Sequence, residues 1–310
     1  MSTRRTFIKT ATASAITLTL PPVIAANLGR LNKAVSIGLI ADLHQDIMHD
    51  GPERLGAFLK QMATTKPDAL MQLGDFAMPK KANQPLIDQF NKAHTKTLHV
   101  IGNHDTDSGF TKQQVMTSWG MKTRYYSTDI GGIRFIVLDG NDKGSPTHKG
   151  GYVSYVGKEQ ITWLKQQLEQ HNGPIAIVCH QPLAGSGAVN NAKKIQAILA
   201  EHEDKIVIAF NGHTHIDSLV QIGKIPYLHI NSASYLWVGG KYKHESYSKK
   251  IHAKHHHIAS TCPYRDPLFT TMTFNPKAGT ITIDAKASQW VGDSPEKLGI
   301  KSKISSSLDC

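Results

Sequence analysis

Cysteine is scarce in this sequence, with three residues in 310. That number excludes a disulfide-built scaffold and a thiolate-rich zinc or iron–sulfur site. Long apolar runs are missing as well, because no stretch outside the N-terminal region approaches the ~20 residues that a membrane-spanning helix needs. Hydrophobic residues make up 40% and charged residues 19% of the chain. This composition is that of a globular protein, and it excludes collagen-like and low-complexity sequences.

The N-terminal residues resemble a twin-arginine export signal. Arg4 and Arg5 lie in a basic head, and an apolar stretch of small residues follows from Ala11 to Ala26. This order predicts a signal peptide over residues 1–26, recognition by the twin-arginine export machinery, and a periplasmic or secreted protein without a stable membrane anchor after cleavage. An amphipathic helix is the alternative, but the stretch lacks a 3.6-residue periodicity. Residues 27–310 are predicted to form one domain.

The charge balance is basic, with a net charge of +11 for the whole chain. Residues 1–26 contain three basic residues and no acidic one, so the remainder has a net charge of +8. Such an excess favours anionic ligands in general. The sequence contains no basic helix and no RNA-recognition motif, so nucleic acid is expected only as a substrate.

Short apolar strands alternate with amphipathic helices along the chain. The spacing of Leu55, Phe58 and Met62, for example, is that of one helix face. An alternation of strands and helices predicts an α/β fold with parallel strand pairing. The predicted strands that matter most for function cover residues 34–41, 69–73, 97–101, 174–179 and 206–210. Two local signals accompany them: a capping box from Thr111 to Gln114, and a hairpin around Gly131-Gly132.

Polar residues with metal-ligand chemistry follow each of those five strands. They are Asp42 and His44, Asp75, the run Asn103-His104-Asp105, His180, and the pair His213 and His215. Any one cluster is explained by an ordinary turn, in which Asp or Asn caps the backbone. Five clusters at five strand ends are not, because the carboxyl ends of strands in an open α/β sheet are where ligand sites form. Carboxylate, amide and imidazole groups together predict a site for first-row divalent metals.

In their order, these motifs resemble the calcineurin-like metallophosphoesterase superfamily over residues 35–230. The resemblance implies a four-layer αββα sandwich with a dinuclear metal site at the strand carboxyl ends. It implies that one ion is bound by Asp42, His44 and His215. It implies that the second ion is bound by Asn103, His180 and His213, with Asp75 bridging the two. The ions are expected to be two of Mn, Fe, Zn or Co, since the ligands do not select among them.

The resemblance also implies a reaction. A hydroxide bound by the two metals would attack phosphorus in line, and His104 would donate a proton to the leaving group, with Asp105 orienting its ring. Bimetal centres lower the pKa of bound water towards ~7, which makes this attack feasible at neutral pH. The chain is therefore expected to be a phosphoric ester hydrolase, with a small phosphorylated substrate. A non-catalytic metal- or polyanion-binding protein on the same scaffold is the alternative.

Two departures narrow the expected branch of the superfamily. Met78 stands where purple acid phosphatases have a ligand tyrosine, and Met78-Pro79-Lys80 stands near the place where the Ser/Thr phosphatases have Asp-Arg-Gly. The pattern is closer to the bacterial phosphodiesterases and diphosphatases. Monoester, diester and diphosphate substrates all remain compatible with it.

One segment departs from the strand–helix pattern. Residues 239–266 are predicted to be an insertion rich in His and Lys, with His255, His256 and His257 in succession. Three roles stay open for it: a solvated loop, a lid over the substrate pocket, or a second metal-capture site. Cys179 is predicted to be a buried free thiol, whereas pairing between Cys262 and Cys310 stays open.

Overall fold

The computed structural model describes residues 15–300, and Arg4, Arg5 and Cys310 lie outside them. The strands of the described chain are β1 (Ala15–Thr19), β2 (Val35–Ile40), β3 (Ala69–Gln72), β4 (Thr97–His99), β5 (Tyr126–Ile130), β6 (Ile133–Leu138), β7 (Ile175–Cys179), β8 (Ile206–Asn211), β9 (Ser218–Ile222), β10 (Ile225–His229), β11 (Tyr235–Trp237), β12 (Thr261–Pro263), β13 (Thr270–Asn275) and β14 (Thr280–Asp284). The helices are α1 (Pro22–Leu28), α2 (Gly51–Thr65), α3 (Gln84–Lys92), α4 (Lys112–Trp119), α5 (Lys158–Gln170), α6 (Ala192–Ala200) and α7 (Lys249–Lys254).

Two six-stranded sheets organise these elements. The first sheet has the order β1-β14-β13-β2-β3-β4, and the second has the order β5-β6-β7-β8-β10-β9. Within each sheet three consecutive strands run parallel: β2, β3 and β4 in the first, and β6, β7 and β8 in the second. Their carboxyl ends therefore lie at one edge of each sheet, which is the edge where the predicted ligands follow.

The side chains of the parallel strands divide between two kinds of core. Ile37 and Leu39 of β2 share a buried cluster with Val137 of β6 and Val178 of β7, so this cluster lies between the sheets. Alternate residues of the same strands point outwards, because side chains alternate across a strand. Residues such as Ile40 pack against α2, α3 and α4, while those of the second sheet pack against α5 and α6. The layers are helix, sheet, sheet and helix, and the predicted αββα sandwich is confirmed.

Local signals explain how individual elements form. Leu55, Phe58 and Met62 are buried along one face of α2, as their spacing predicts. The hydroxyl of Thr111 accepts from the backbone N–H of Gln114, and the side chain of Gln114 accepts from the backbone N–H of Thr111, so the predicted capping box begins α4. β5 and β6 form the predicted hairpin across Gly131-Gly132. Most predicted boundaries differ from these bounds by only a few residues.

The residues before the predicted domain boundary at residue 26 are part of the folded structure. Residues 15–19 form β1, which pairs antiparallel with all five residues of β14. Leu20, Ile24 and Leu28 are buried in the cluster between the sheets. The structured domain thus extends back at least to Ala15, and residue 26 lies inside α1. The alternation of Ile16, Leu18 and Leu20 with threonine has the period of a strand.

The predicted insertion over residues 239–266 is partly ordered into regular elements. It contains α7 and β12, and β12 pairs with β11 in a two-stranded ribbon. Ile251 and Ile258 of the insertion pack with Met48 and Tyr235, which ties the segment to the loop after β2. Among the described residues, no helix has the length and apolarity required to cross a membrane.

Candidate metal centre

The predicted ligands lie together at the carboxyl edges of the two sheets. Asp42 and His44 follow β2, Asp75 follows β3, His180 follows β7, and His213 and His215 follow β8. Six of them form two groups whose ligand atoms lie within 4.8 Å of one another in each group. The groups are Asp42, His44 and His215 in one, and Asp75, His180 and His213 in the other. Residues separated by up to 173 positions in the chain are thus neighbours.

The first group is compact and buried. The Nε2 atoms of His44 and His215 are 3.1 Å apart, and His215 Nε2 lies 3.3 Å from Asp42 Oδ1. Two imidazole nitrogens and a carboxylate oxygen directed at one point form a donor set typical of divalent cations. The carboxylate of Asp42 also accepts from the backbone N–H of His213, at 3.0 Å, which connects this group to the second.

The second group is joined to the first through Asp75. Asp75 Oδ2 lies 3.2 Å from His180 Nε2 and 3.7 Å from His44 Nε2. His180 Nε2 is in turn 3.3 Å from His213 Nδ1. One carboxylate between two clusters of imidazoles is the arrangement that a bridging ligand requires, since a shared negative charge reduces the repulsion between two dications.

Asn103 provides an independent test of whether the site fits a metal. Its Oδ1 atom is buried and has no hydrogen-bond partner. A buried carbonyl oxygen without a partner costs about 1–3 kcal/mol, and a cation bound by that oxygen would remove the penalty. Asn103 directly precedes His104, whose backbone N–H donates to Asp75 Oδ1 at 2.8 Å. The amide therefore lies next to the second group, where the resemblance places it as a ligand.

Hydrogen bonds outside the centre fix the tautomers of two ligand histidines. The Nδ1–H group of His180 donates to the carbonyl of Leu73 at 2.7 Å, and that of His215 donates to the carbonyl of Tyr235 at 2.8 Å. A carbonyl only accepts, so in the neutral ring Nε2 keeps its lone pair for a metal. Tyr235, which sequence analysis missed, also stacks on His44 with ring centroids 4.9 Å apart.

Burial and charge perturb the titration of these groups in opposite directions. Burial lowers the pKa of His44 to about 3, and burial together with the charge of His180 lowers that of His213 to about 4. Burial acts in the same direction on His180, but the charge and hydrogen bond of Asp75 outweigh it and raise its pKa to about 10. Perturbations this large, in opposite directions and within a few ångströms, are typical of functional sites.

The backbone is strained where the ligands lie. Seven non-glycine residues of the described chain have a positive φ, and five of them are proposed ligands: Asp42, His44, Asp75, His213 and His215. Left-handed backbone is unfavourable for residues with a Cβ atom, and such strain concentrates where function requires it. The strain thus points to the same residues as the donor chemistry does.

Glycines beside the ligands leave room for them. A Cβ atom on Gly74 would collide with the ring of His180, and one on Gly102 would collide with the carboxylate of Asp75. In each case the obstructed group is a proposed metal ligand from another segment. The glycines of the Gly74-Asp75 and Gly102-Asn103 motifs are therefore needed for the close approach of the chain.

His104 is oriented by Asp107, not by Asp105 as the resemblance implied. The Nδ1–H group of His104 donates to Asp107 Oδ2 at 2.7 Å, and the Tyr152 hydroxyl donates to Asp107 Oδ1 at 2.8 Å. Burial opposes a charge on His104, but the Asp107 hydrogen bond and the charge of Asp75 outweigh it and raise its pKa. With Nδ1 occupied, Nε2 is available for a substrate. The i, i+3 spacing of His104 and Asp107 could have revealed this pair.

Asp105 has a structural role instead. Its carboxylate is buried and accepts from the backbone N–H groups of Gly102 (2.7 Å), Phe76 (2.8 Å) and Asp75 (2.9 Å). It thereby connects the loop after β3 to the loop after β4. Burial and the charge of Asp75 raise its pKa to about 8. The three donors favour the charged form, and they fix the backbone from which the bridging carboxylate extends.

The histidines of the insertion do not belong to the centre. None of them is part of a described group of three metal-binding side chains. The Nδ1–H group of His255 donates to the carbonyl of Ile47, 3.1 Å away, so it attaches the insertion to the loop after β2. Cys179 and Cys262 are both buried free thiols in the described chain, which confirms the prediction for Cys179.

Comparisons with known proteins agree with this geometry. A family model described as calcineurin-like phosphoesterase matches residues 35–217. The fold is similar to that of a dimetal phosphatase from Danio rerio, with a TM-score of 0.54 and 12% identity over 84% of this chain and 99% of that one. It is also similar to GAP50, the anchor in the inner membrane complex of Plasmodium, with a TM-score of 0.53 and 15% identity over 83% and 91% of the two chains. No curated protein sequence matches significantly.

Proposed function

Because the chain belongs to the calcineurin-like phosphoesterase family, we propose that it hydrolyses small phosphodiesters with two divalent cations bound between its sheets. Membership supports metal-dependent hydrolysis of phosphoric esters. The observation that supports the cation pair is the convergence of two three-residue ligand groups, linked by Asp75. When bound, such cations supply Lewis acidity and a nucleophile at neutral pH.

The residues of the chain have distinct tasks in this proposal. Asp42, His44 and His215 would hold one cation, Asn103, His180 and His213 would hold the other, and Asp75 would be shared between them. His104 extends from the loop after β4 and donates a proton to the leaving oxygen through Nε2. Asp107 keeps the ring in position and favours its protonated form. General acids of this kind contribute about 100- to 10,000-fold to a rate.

The charges around the pocket favour a diester over a monoester. The pocket at the centre is lined by His44, Asp46, Ile47, Asp75, Phe76, Met78, His104, Asp105 and Asp107. None of these lining residues is Lys or Arg, so beyond the cations the protonated His104 is the one lining residue that offers a positive charge to a bound phosphate. A monoester dianion would also meet the carboxylate of Asp107, whereas that of Asp46 is paired with Lys80 at 2.8 Å. A diester has one negative charge fewer and is repelled less.

An assay with chromogenic esters tests the proposal. Bis(p-nitrophenyl) phosphate should be hydrolysed faster than p-nitrophenyl phosphate in the presence of Mn²⁺, and a chelator should abolish both activities. His104→Ala should reduce kcat by about 100-fold or more while the protein remains folded. His148→Ala is the matched control, because this exposed histidine lies outside the centre. Equal rates for His104→Ala and wild type would refute the role of His104.

A non-catalytic binding protein is the second candidate. One similar structure is that of an anchor protein in a membrane complex, which shows that the fold also occurs in proteins described by a structural role. The complete ligand set of this chain favours catalysis. Metal binding without turnover of either ester would favour the alternative.

We also propose that the protein is exported to the periplasm or secreted through the twin-arginine pathway. The support is the pair Arg4 and Arg5 ahead of an apolar stretch. Cell fractionation tests it: a variant with Arg4→Lys and Arg5→Lys should accumulate in the cytoplasm, whereas wild type should not. Equal distribution of the two would contradict the proposal.

A further inference from the structure

Two exposed aromatic side chains lie beside the metal centre. Four large hydrophobic or aromatic side chains of the described residues are strongly exposed. Two of the four are aromatic: Tyr152 (51% exposed) and Trp237 (50% exposed). An exposed tryptophan leaves a large apolar surface in water, which is unfavourable unless a ligand covers it. Because Tyr152 and Trp237 lie near the proposed metal ligands, we consider the substrate as the ligand that covers them.

A row of rings connects these two residues across the centre. Ring centroids are 4.6 Å apart for Tyr152 and His104, and 5.2 Å apart for His104 and His44. The row continues from His44 to Tyr235 at 4.9 Å and from Tyr235 to Trp237 at 6.4 Å. Tyr152 and Trp237 are therefore the two ends of a row of rings that includes the proposed ligand His44.

The two ends differ in what they can do. The Tyr152 hydroxyl is hydrogen-bonded to Asp107 beside the proposed proton donor His104, so this end faces the leaving group. Trp237 lies two residues after Tyr235 in β11, on the same face of that strand. Trp237 is separated from the proposed ligands His44 and His215 by the ring of Tyr235 alone, so a planar group on the substituent that stays on phosphorus can reach it.

The backbone beneath Trp237 is fixed before any substrate binds. Trp237 pairs with Thr261 of β12, and the next two backbone N–H groups, those of Val238 and Gly239, donate to the carbonyl of Ser260 at 2.9 and 3.1 Å. A ring on a rigid backbone loses little conformational entropy when a ligand stacks on it. The backbone that carries the indole is thus preorganised for a stacking surface.

We infer that Trp237 is a specificity residue, which stacks on a planar aromatic ring in the retained substituent of a phosphodiester. The inference rests on the proposed function and adds the substrate class to it. Aromatic stacking on a base contributes about 1–3 kcal/mol, and each 1.4 kcal/mol corresponds to a factor of ten. Loss of the indole should therefore reduce kcat/KM about tenfold for ring-bearing diesters.

Three diesters with one leaving group provide the test. p-Nitrophenyl methyl phosphate, p-nitrophenyl phenyl phosphate and the p-nitrophenyl ester of thymidine 5′-phosphate all release p-nitrophenolate, so they differ only in the retained substituent. Trp237→Leu should lower kcat/KM about tenfold for the two ring-bearing esters and less than twofold for the methyl ester. Trp237→Phe should recover most of the loss. A larger effect on the thymidine ester than on the phenyl ester would identify a nucleoside rather than a simple aryl group.

Trp163→Leu is the matched control. Trp163 lies on α5 and packs against Tyr125, so its loss should leave the ratio between the three esters unchanged. A second readout does not depend on turnover: adenosine 5′-monophosphate should quench the tryptophan fluorescence of wild type but not of Trp237→Leu, and inorganic phosphate should quench neither.

The outcomes separate this inference from the proposed function. Equal losses on all three esters, or no loss on any, would overturn the role of Trp237 while leaving the hydrolase intact. Absence of turnover of every ester by metal-loaded wild type would overturn the proposed function, and this inference with it.

Discussion

Two isosteric substitutions, two positions apart, should have opposite consequences. Asp105→Asn should destabilise the fold, because the buried carboxylate accepts from three backbone N–H groups at 2.7–2.9 Å. Asparagine has one acceptor oxygen, and its amide N–H₂ would face a backbone donor. Leaving one or two of these buried backbone donors unpaired, at about 1–3 kcal/mol each, should lower the free energy of unfolding by roughly 1–6 kcal/mol.

Asp107→Asn should instead reduce catalysis and leave stability nearly unchanged. The Asp107 side chain is 27% exposed, so its truncated hydrogen bond to His104 can be replaced by water. An amide no longer favours the protonated ring, and we expect kcat to fall at least tenfold. Esters with poor leaving groups should be affected most, because they depend most on a proton donor.

Urea denaturation and steady-state kinetics on both variants, with wild type as reference, measure these effects. The assignment would be refuted by the reverse pattern, in which Asp105→Asn loses activity at full stability and Asp107→Asn unfolds at lower urea. If Asp107→Asn lowered kcat equally for esters with good and with poor leaving groups, Asp107 would not act through His104.

Further predictions concern the N-terminal segment and a buried histidine. Ile24→Ala should lower the free energy of unfolding by about 2–5 kcal/mol, because Ile24 is fully buried between the sheets; an unchanged urea midpoint would contradict its placement. A chain that begins at Asn27 should melt well below one that begins at Ala15, since it lacks β1, and equal melting temperatures would show that β1 is dispensable. Burial lowers the pKa of His99 to about 3, below its unfolded value of ~6.5, so acid protonates the unfolded chain first. When the pH falls from 7.5 to 5.5, the free energy of unfolding of wild type should therefore decrease by about 1 kcal/mol more than that of His99→Gln. Equal decreases in the two proteins, measured by urea denaturation, would contradict this.

Sequence reasoning could predict the candidate ligands, which the structure brings together, because their chemistry is local to strand ends. Asp42, Asp75 and His180 each lie within three residues of the end of an apolar strand, and parallel strands bring such positions to one edge. Neither fact needs a knowledge of side-chain packing. The same holds for the two-sheet architecture, since strand order and helix periodicity are both visible in the chain.

The supporting residues were harder to predict, for physical reasons. Asp105 and Asp107 have identical side chains, and only the conformation of the short 3₁₀ helix after Asn103 determines which one meets His104. Tyr152 and Tyr235 reach the site through long-range contacts that leave no pattern in the sequence. In the N-terminal segment, an apolar stretch with small residues satisfies both an export signal and an edge strand, so composition does not separate them.

The central claim is that ligands from both sheets bind a pair of cations, and metal content measures it directly. After loading with Mn²⁺ and removal of free metal, elemental analysis should find two ions per wild-type chain. Asp75→Asn should retain fewer than one, because Asp75 contacts both ligand groups, whereas Asp107→Asn should still retain two. A wild-type chain that holds one ion or none, or an Asp75→Asn chain that holds two, would contradict the account.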